Sequence, residues 1–221
     1  MREYATGQNH VTTAPFMDRL PDSQHDPLAG RLSARRRSDG GRMRDVKASP
    51  VGNVLIEVAA PSDGAARSAL WAYIDDVASR WYGRPATDEE IAAALLDDPS
   101  EDLAAPQGTF LVARRGETVV GCAGLRLLAD GVGEVKRVFV APLARGHGLG
   151  RLLMLELEKL ARAQGLSTLR LDTRSDLVEA RTLYAALGYV EVPPFNNGQY
   201  AEHWFAKDLR TTTGQLAAPN R

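Results

Sequence analysis

The residues best placed to do chemistry lie in VFVAPLARGHGLGRLL (138–153). A β-branched run feeds a loop holding Arg145, Gly146, His147, Gly148, Leu149, Gly150 and Arg151, and the loop runs straight into a leucine-rich helical pattern. The first N–H groups of a helix lack intrahelical partners, and the helix dipole adds partial positive charge there. Glycines remove the side chains that would hold phosphate oxygens away from the backbone. Arg145 and Arg151 can add charge-assisted hydrogen bonds. The pattern describes an anion site, and a pyrophosphate suits it best. A Walker loop needs Lys-Ser or Lys-Thr after its last glycine, and neither follows here. A dinucleotide fingerprint counted from Gly146 or Gly148 meets Arg151 or Leu153 where its last glycine belongs. Asp172, about twenty residues on, would nevertheless suit a ribose-binding acid. The scattered histidines and the single Cys122 show no metal-ligand spacing.

Such a loop needs a frame, and the rest of the chain alternates strand and helix patterns around it. VLIEVAA (54–60), ended by Pro61, reads as a strand. Ala66, Leu70, Tyr73, Ile74, Val77 and Trp81 recur at helical spacing before Gly83. Thr87 followed by Glu90 resembles a capping box that opens a second helix through Leu96. After the acidic stretch DDPSEDLAAPQ (97–107) come three strands, TFLVARR (109–115), TVVGCAGLRLL (118–128) and GEVKRVFVAP (133–142). Leu149, Leu152, Leu153, Leu157 and Leu160 mark the long helix, with Gly165 past its end. TLRLDT (168–173) is a strand, 177–187 a helix, and YVEVP (189–193) and HWFAKDL (203–209) close the sheet. The expectation is an α/β fold, a mixed twisted sheet flanked by about four helices.

The chain has 221 residues, 44% hydrophobic and 25% charged, which suffices for one sizeable core over residues 52–210. A net charge of −1 makes no overall case for nucleic acid. Residues 1–48 hold six arginines between Arg31 and Arg44 without helical or strand period, and read as a disordered basic tail. No aromatic residues interleave with its RLSARRR run, as a nucleic-acid arm would want, and Met43 offers an alternative start. TTTGQLAAPNR (211–221) reads as a second short tail. No apolar run approaches the roughly 20 residues of a membrane helix. A single cysteine cannot close an internal disulfide, so a cytoplasmic protein is expected.

Three segments, in order and at matching spacing, resemble the GNAT superfamily of acetyl-CoA-dependent N-acetyltransferases. Arg145-Gly-His-Gly148-Leu-Gly150 looks like that family's Arg/Gln-x-x-Gly-x-Gly/Ala phosphate loop. GEVKRVFVAP resembles its central strand, and ARTLYAALGYVEV (180–192) its C-terminal motif. The family often has Asn seven residues before the tyrosine, where this chain has Leu177.

The resemblance implies acetyl transfer from acetyl-CoA to a primary amine of a small molecule or peptide by direct attack, without a metal. It also implies that the central strand splays from its neighbour, leaving main-chain groups of Val138 and Val140 to pair with the pantetheine arm. Tyr184 takes the place of the general acid for the leaving thiolate, with aromatic packing as the alternative. An amine of pKa near about 10.4 is almost wholly ammonium at neutral pH, so something must accept its proton. Glu134 occupies the position where many members carry that base; its alternative is an edge-exposed carboxylate paired with Lys136 or Arg126. His147 reads as a solvent-facing spacer, and His203 beside Trp204 as an acceptor-pocket or strand-start residue. Cys122 suits a small core residue. The family's acceptor side would fall on the two N-terminal helices, the acidic residues Asp97, Asp98, Glu101 and Asp102, and PPFNNGQY (193–200). Members are often homodimers. A non-catalytic acyl-CoA-binding module, sensing or docking, is the alternative.

Overall fold

A computed structural model describes residues 53–210; the tails expected at 1–48 and 211–221 lie outside the described residues. Seven strands form one sheet: β1 (Val54–Val58), β2 (Gly108–Arg115), β3 (Thr118–Leu127), β4 (Val132–Val140), β5 (Thr168–Thr173), β6 (Val190–Val192) and β7 (His203–Asp208). Their spatial order is β1-β2-β3-β4-β5-β7-β6. Every neighbouring pair is antiparallel except β4 and β5, which run parallel.

Four helices cover the two faces: α1 (Gly64–Tyr82), α2 (Asp88–Asp97), α3 (Leu149–Ala163) and α4 (Val178–Ala186). Ala66, Ala69 and Leu70 of α1 pack on Phe110, Val112, Cys122 and Phe139, which point to one face. Leu149, Leu153 and Leu157 of α3 and Tyr184 of α4 pack on Leu111, Leu125, Val135, Leu169 and Leu171, which point to the other. Strand alternation feeds both layers.

The local signals hold where they rest on backbone chemistry. Gly83 ends α1 in the left-handed conformation, at φ 64°. The Thr87 hydroxyl accepts from the Glu90 N–H at 3.3 Å, and Glu90 accepts from the Thr87 N–H at 2.8 Å, so the capping box is complete. Two apolar assignments shift. Leu152 is 40% exposed, on the outer side of α3. Trp81 is half-exposed; Arg174 lies over its ring and Tyr200 meets it edge-on.

Candidate active site

β4 is the strand that shapes the site. Its pairing with β3 slips by one residue between Cys122 and Gly124, which places a bulge at Arg137. Arg137 has φ 57°, a left-handed backbone that costs a non-glycine residue about 1 kcal/mol or more. Its buried guanidinium offsets that cost with bonds to the Ser100 hydroxyl at 3.1 Å and to the Asp98 carbonyl at 2.7 Å. It also pairs with the Asp98 carboxylate and lies over the Tyr73 ring. The bulge re-aims the strand: Val135, Val138 and Val140 pack with the α3 core, while Phe139 packs with α1.

The second feature is a parting of strands. β4 and β5 pair only through Val132↔Thr168, Gly133↔Leu169 and Glu134↔Arg170. Beyond Glu134 the β5-facing edge of β4 has no strand partner among the described residues, while β5 stays paired with β7 through Thr173↔His203. The expected splay is present. Val138 and Val140 lie along the open edge, half-buried, with their side chains packed against the α3 core and main-chain groups left facing the opening.

The loop sits at the end of that edge. Gly146 and Gly148 have φ of 77° and 83°, and a Cβ added at either would meet nothing within 4 Å, so the space beside them is open. Gly148 is the N-cap of α3 and no side chain caps the helix. The first helical bond there runs from the Leu152 N–H to the Gly148 carbonyl at 3.1 Å. The N–H groups of Leu149, Gly150 and Arg151 precede it and point into the loop. Gly150 serves packing instead: a Cβ there would stand 3.1 Å from Leu183, so its absence lets α4 approach α3. These donors and this open edge fit a pyrophosphate followed by an extended arm.

The Arg145 guanidinium is already engaged. It donates to Asp76 of α1 at 2.8 Å and to the Val140 carbonyl at 2.9 Å. An incoming phosphate must therefore compete with Asp76 for it. Asp76 also lines a cavity of about 520 Å3 between α1 and the end of β4, with Ala72, Arg80, Phe139 and Pro142. His147 is exposed and its Nδ1 meets the Arg145 carbonyl at 2.7 Å, a turn-bracing contact that matches the spacer reading. Arg151 is exposed on the first turn of α3.

Tyr184 is buried against Tyr189 and Phe205. Burial pushes its phenol well above the ordinary tyrosine range, and the Tyr73 phenol and Asp172 carboxylate add to the shift. The phenol is therefore protonated at neutral pH.

Glu134 departs from the expected edge-exposed carboxylate: it is 3% exposed. Its Oε1 accepts from Arg126 at 2.6 Å and its Oε2 from Arg170 at 3.1 Å. Lys136, offered as a partner by the sequence, instead faces Asp98 at 3.8 Å. Direct cross-strand register, Arg126↔Glu134↔Arg170, makes this ladder. Arg126 also reaches Asp102 at 2.8 Å, and Arg170 lies over the Phe195 ring. The acidic stretch is thus partly consumed in holding the segment after α2 onto β3 and β4.

His203 bridges Glu191 at 2.6 Å and Ser175 at 3.1 Å, whereas Trp204 faces the other layer and donates to Asn196 at 2.8 Å. The Cys122 thiol is buried, its S–H meets the Arg137 carbonyl, and burial raises its pKa far above the ordinary range. It has no nucleophilic character. Sequence reasoning missed Arg170, the second clamp on Glu134. It treated Asp172 only as a ribose acid. The signal was the alternation of TLRLDT: two charged residues in a central strand of a parallel pair need a use.

The family described as Acetyltransferase (GNAT) family matches residues 70–189. The chain is 46% identical over 102 residues to an IAA acetyltransferase of Azospirillum brasilense, spanning 46% of this chain and 65% of that protein, just under two thirds. It is 34% identical over 114 residues to N-alpha-acetyltransferase RimI of Mycobacterium tuberculosis, spanning 47% of this chain and 70% of that one. Among solved structures, the PaiA N-acetyltransferase of Thermoplasma acidophilum in complex with coenzyme A aligns with a TM-score of 0.56 at 18% identity. That alignment covers 70% of this chain and 99% of the other, a likeness of fold.

Proposed function

The chain belongs to the acetyltransferase (GNAT) family, and on that premise we propose that it transfers an acetyl group from acetyl-CoA to a primary amine of a small molecule or peptide by direct attack. The observation that carries this reading is the opening of β4 from β5 beyond Glu134↔Arg170, continuous with the unpaired N–H groups at the start of α3. The loop from Arg145 to Arg151 suits the pyrophosphate, and the main chain of Val138 and Val140 suits the pantetheine arm. Tyr184 protonates the departing thiolate. The coenzyme A named in the PaiA complex supports the cosubstrate, and the relatives' names support an acyl acceptor of either size.

Glu134, the carboxylate that the resemblance points to as the base, is held by Arg126 on Oε1 and by Arg170 on Oε2. The reading needs no metal and no cysteine nucleophile. A reducing cytoplasm suits the one buried thiol, and a homodimer is the assembly we expect. Among the described residues no helix is long and apolar enough to cross a membrane.

Acetyl-CoA should raise the melting temperature by mass action, and primary amines should then release CoA thiol. The second reading, a non-catalytic acyl-CoA-binding module, is favoured by Leu177, which stands at the N-cap of α4 without capping it. Stabilisation by acetyl-CoA without amine-dependent thiol release, across small amines and peptides alike, would favour that module.

A further inference from the structure

Two carboxylates face the region where β4 and β5 part, and only one is free to act. Glu134 lies at the last paired position, with a guanidinium on each oxygen. Asp172 lies two residues past Arg170, on the same face of β5, where β4 has already turned away. No cation forms an ion pair with it among the described residues. Its hydrogen bond is a long one, from Asn196 Nδ2 to Oδ2 at 3.4 Å. The Asn196 amide is oriented for this because its Oδ1 accepts from the Trp204 indole at 2.8 Å. Trp204 in turn pairs with Asp172 across β5 and β7. The Asp172 charge also raises the pKa of the Tyr184 phenol, the proposed acid.

We propose that Asp172 receives the acceptor's ammonium at the mouth of the β4–β5 opening and takes the proton that frees its nitrogen, with Asn196 as the positioning residue. The proposal rests on the acetyl-transfer reading. Asp172 accepts one ammonium proton and the nitrogen lone pair forms a C–N bond to the acetyl carbon. The C–S bond breaks, Tyr184 gives its proton to the sulfur, and the surplus proton on the amide nitrogen restores Tyr184. Asp172 then releases its proton to solvent, so the balance is one amide, one CoA thiol and one proton.

Burial raises Asp172 above the usual carboxylate range, the direction a base working near neutral pH requires. The Asn196 bond opposes the shift. The Glu134 and Asp98 charges on neighbouring elements reinforce it and the Lys136 charge opposes it, and the Asp172 charge acts in turn on Tyr184 of α4.

The test is the pH profile of kcat/KM from about pH 5.5 to about pH 9.5, followed by release of CoA thiol. Benzylamine, spermidine, glycylglycine and alanylalanine serve as acceptors, and acetyl-CoA affinity is measured alongside by calorimetry. Asp172→Asn should lower kcat/KM by about 10²–10⁴-fold at neutral pH, with the loss shrinking as free amine appears. Its acetyl-CoA affinity should stay unchanged. Asn196→Ala should move the acidic limb of the profile to higher pH, because the bond it removes favours the charged carboxylate. Glu134→Gln should keep an acidic limb, moved to lower pH because the charge that reinforces the Asp172 shift is gone. An Asp172→Asn profile parallel to wild type, or loss of the limb in Glu134→Gln, would overturn the proposal while leaving acetyl transfer intact. Wild-type protein that binds acetyl-CoA but releases thiol with none of these amines would instead overturn the acetyl-transfer reading, and this proposal with it.

Discussion

At its closed end, from Val132 to Glu134, β4 pairs with β5, and the charged side chains on that face pair with one another, leaving the buried Arg126 Nε–H as the one unmatched donor among them. Asp102, Arg126, Glu134 and Arg170 form a continuous chain of bonds between 2.6 and 3.1 Å. At its open end, from Val135 to Val140, the same strand has no β5 partner. There Asp172 keeps a single long bond, and no described residue hydrogen-bonds the Tyr184 hydroxyl. Similar residue types occur at both ends. The difference is register: where strands pair, a guanidinium lies directly opposite a carboxylate, and two residues on nothing does. Ion-paired groups hold a fold together, while groups with spare bonding capacity and a perturbed pKa can do chemistry.

The largest effect that would sharpen this contrast belongs to the open end. Tyr184→Phe keeps the ring against Tyr189 and Phe205 and removes only the proton donor. Steady-state turnover should fall by about 10²–10⁴-fold while acetyl-CoA affinity is preserved. Unchanged turnover would return Tyr184 to packing. At the closed end the effect should fall on stability. Glu134→Gln leaves Arg170 without its carboxylate and Arg126 with Asp102 alone, both partly in water, so urea denaturation should show a loss of about 2 kcal/mol, below the cost of a fully buried broken pair. A stability unchanged from wild type would break the contrast from that side.

The loop at the far end of the opening comes next. Arg145→Ala should weaken acetyl-CoA binding by about 1.5 kcal/mol in calorimetry, the low end for a charged hydrogen bond, because Asp76 already competes for the guanidinium. The smallest effect concerns Asp172 and the folded state alone. Its pKa is raised on folding by burial, so its contribution is most favourable below the ordinary carboxylate range and is lost as pH rises through the folded value. Asp172→Asn removes that ionisation. The variant should melt above wild type at neutral pH, with the gap closing as pH falls toward about 4.

Much of this was legible in the sequence wherever a signal is local. The glycine loop, the Thr87–Glu90 capping box, the Gly83 stop and the order of elements each depend on a few neighbouring residues, and the structure has all of them. The pairings that decide chemistry join residues far apart. Arg170 reaches Glu134, and Arg145 reaches Asp76 across the sheet from α1. Neither partner follows from spacing, because each depends on strand register or helix placement. Trp81 misled for the same reason: its periodicity matched the buried stripe, but its ring meets Arg174 and Tyr200, residues far away in sequence, and stays half-exposed. Glu134 was legible as a position and not as an environment.

Hydrogen–deuterium exchange with and without acetyl-CoA tests most directly that the open end is the cosubstrate's bed. Added acetyl-CoA should slow exchange at amides from Lys136 to Val140 and from Gly146 to Arg151. Val132 to Glu134, already locked between β3 and β5, should be unaffected. Protection confined to α1 around Ala72 and Asp76, or spread evenly over the sheet with no step at Glu134, would contradict the account.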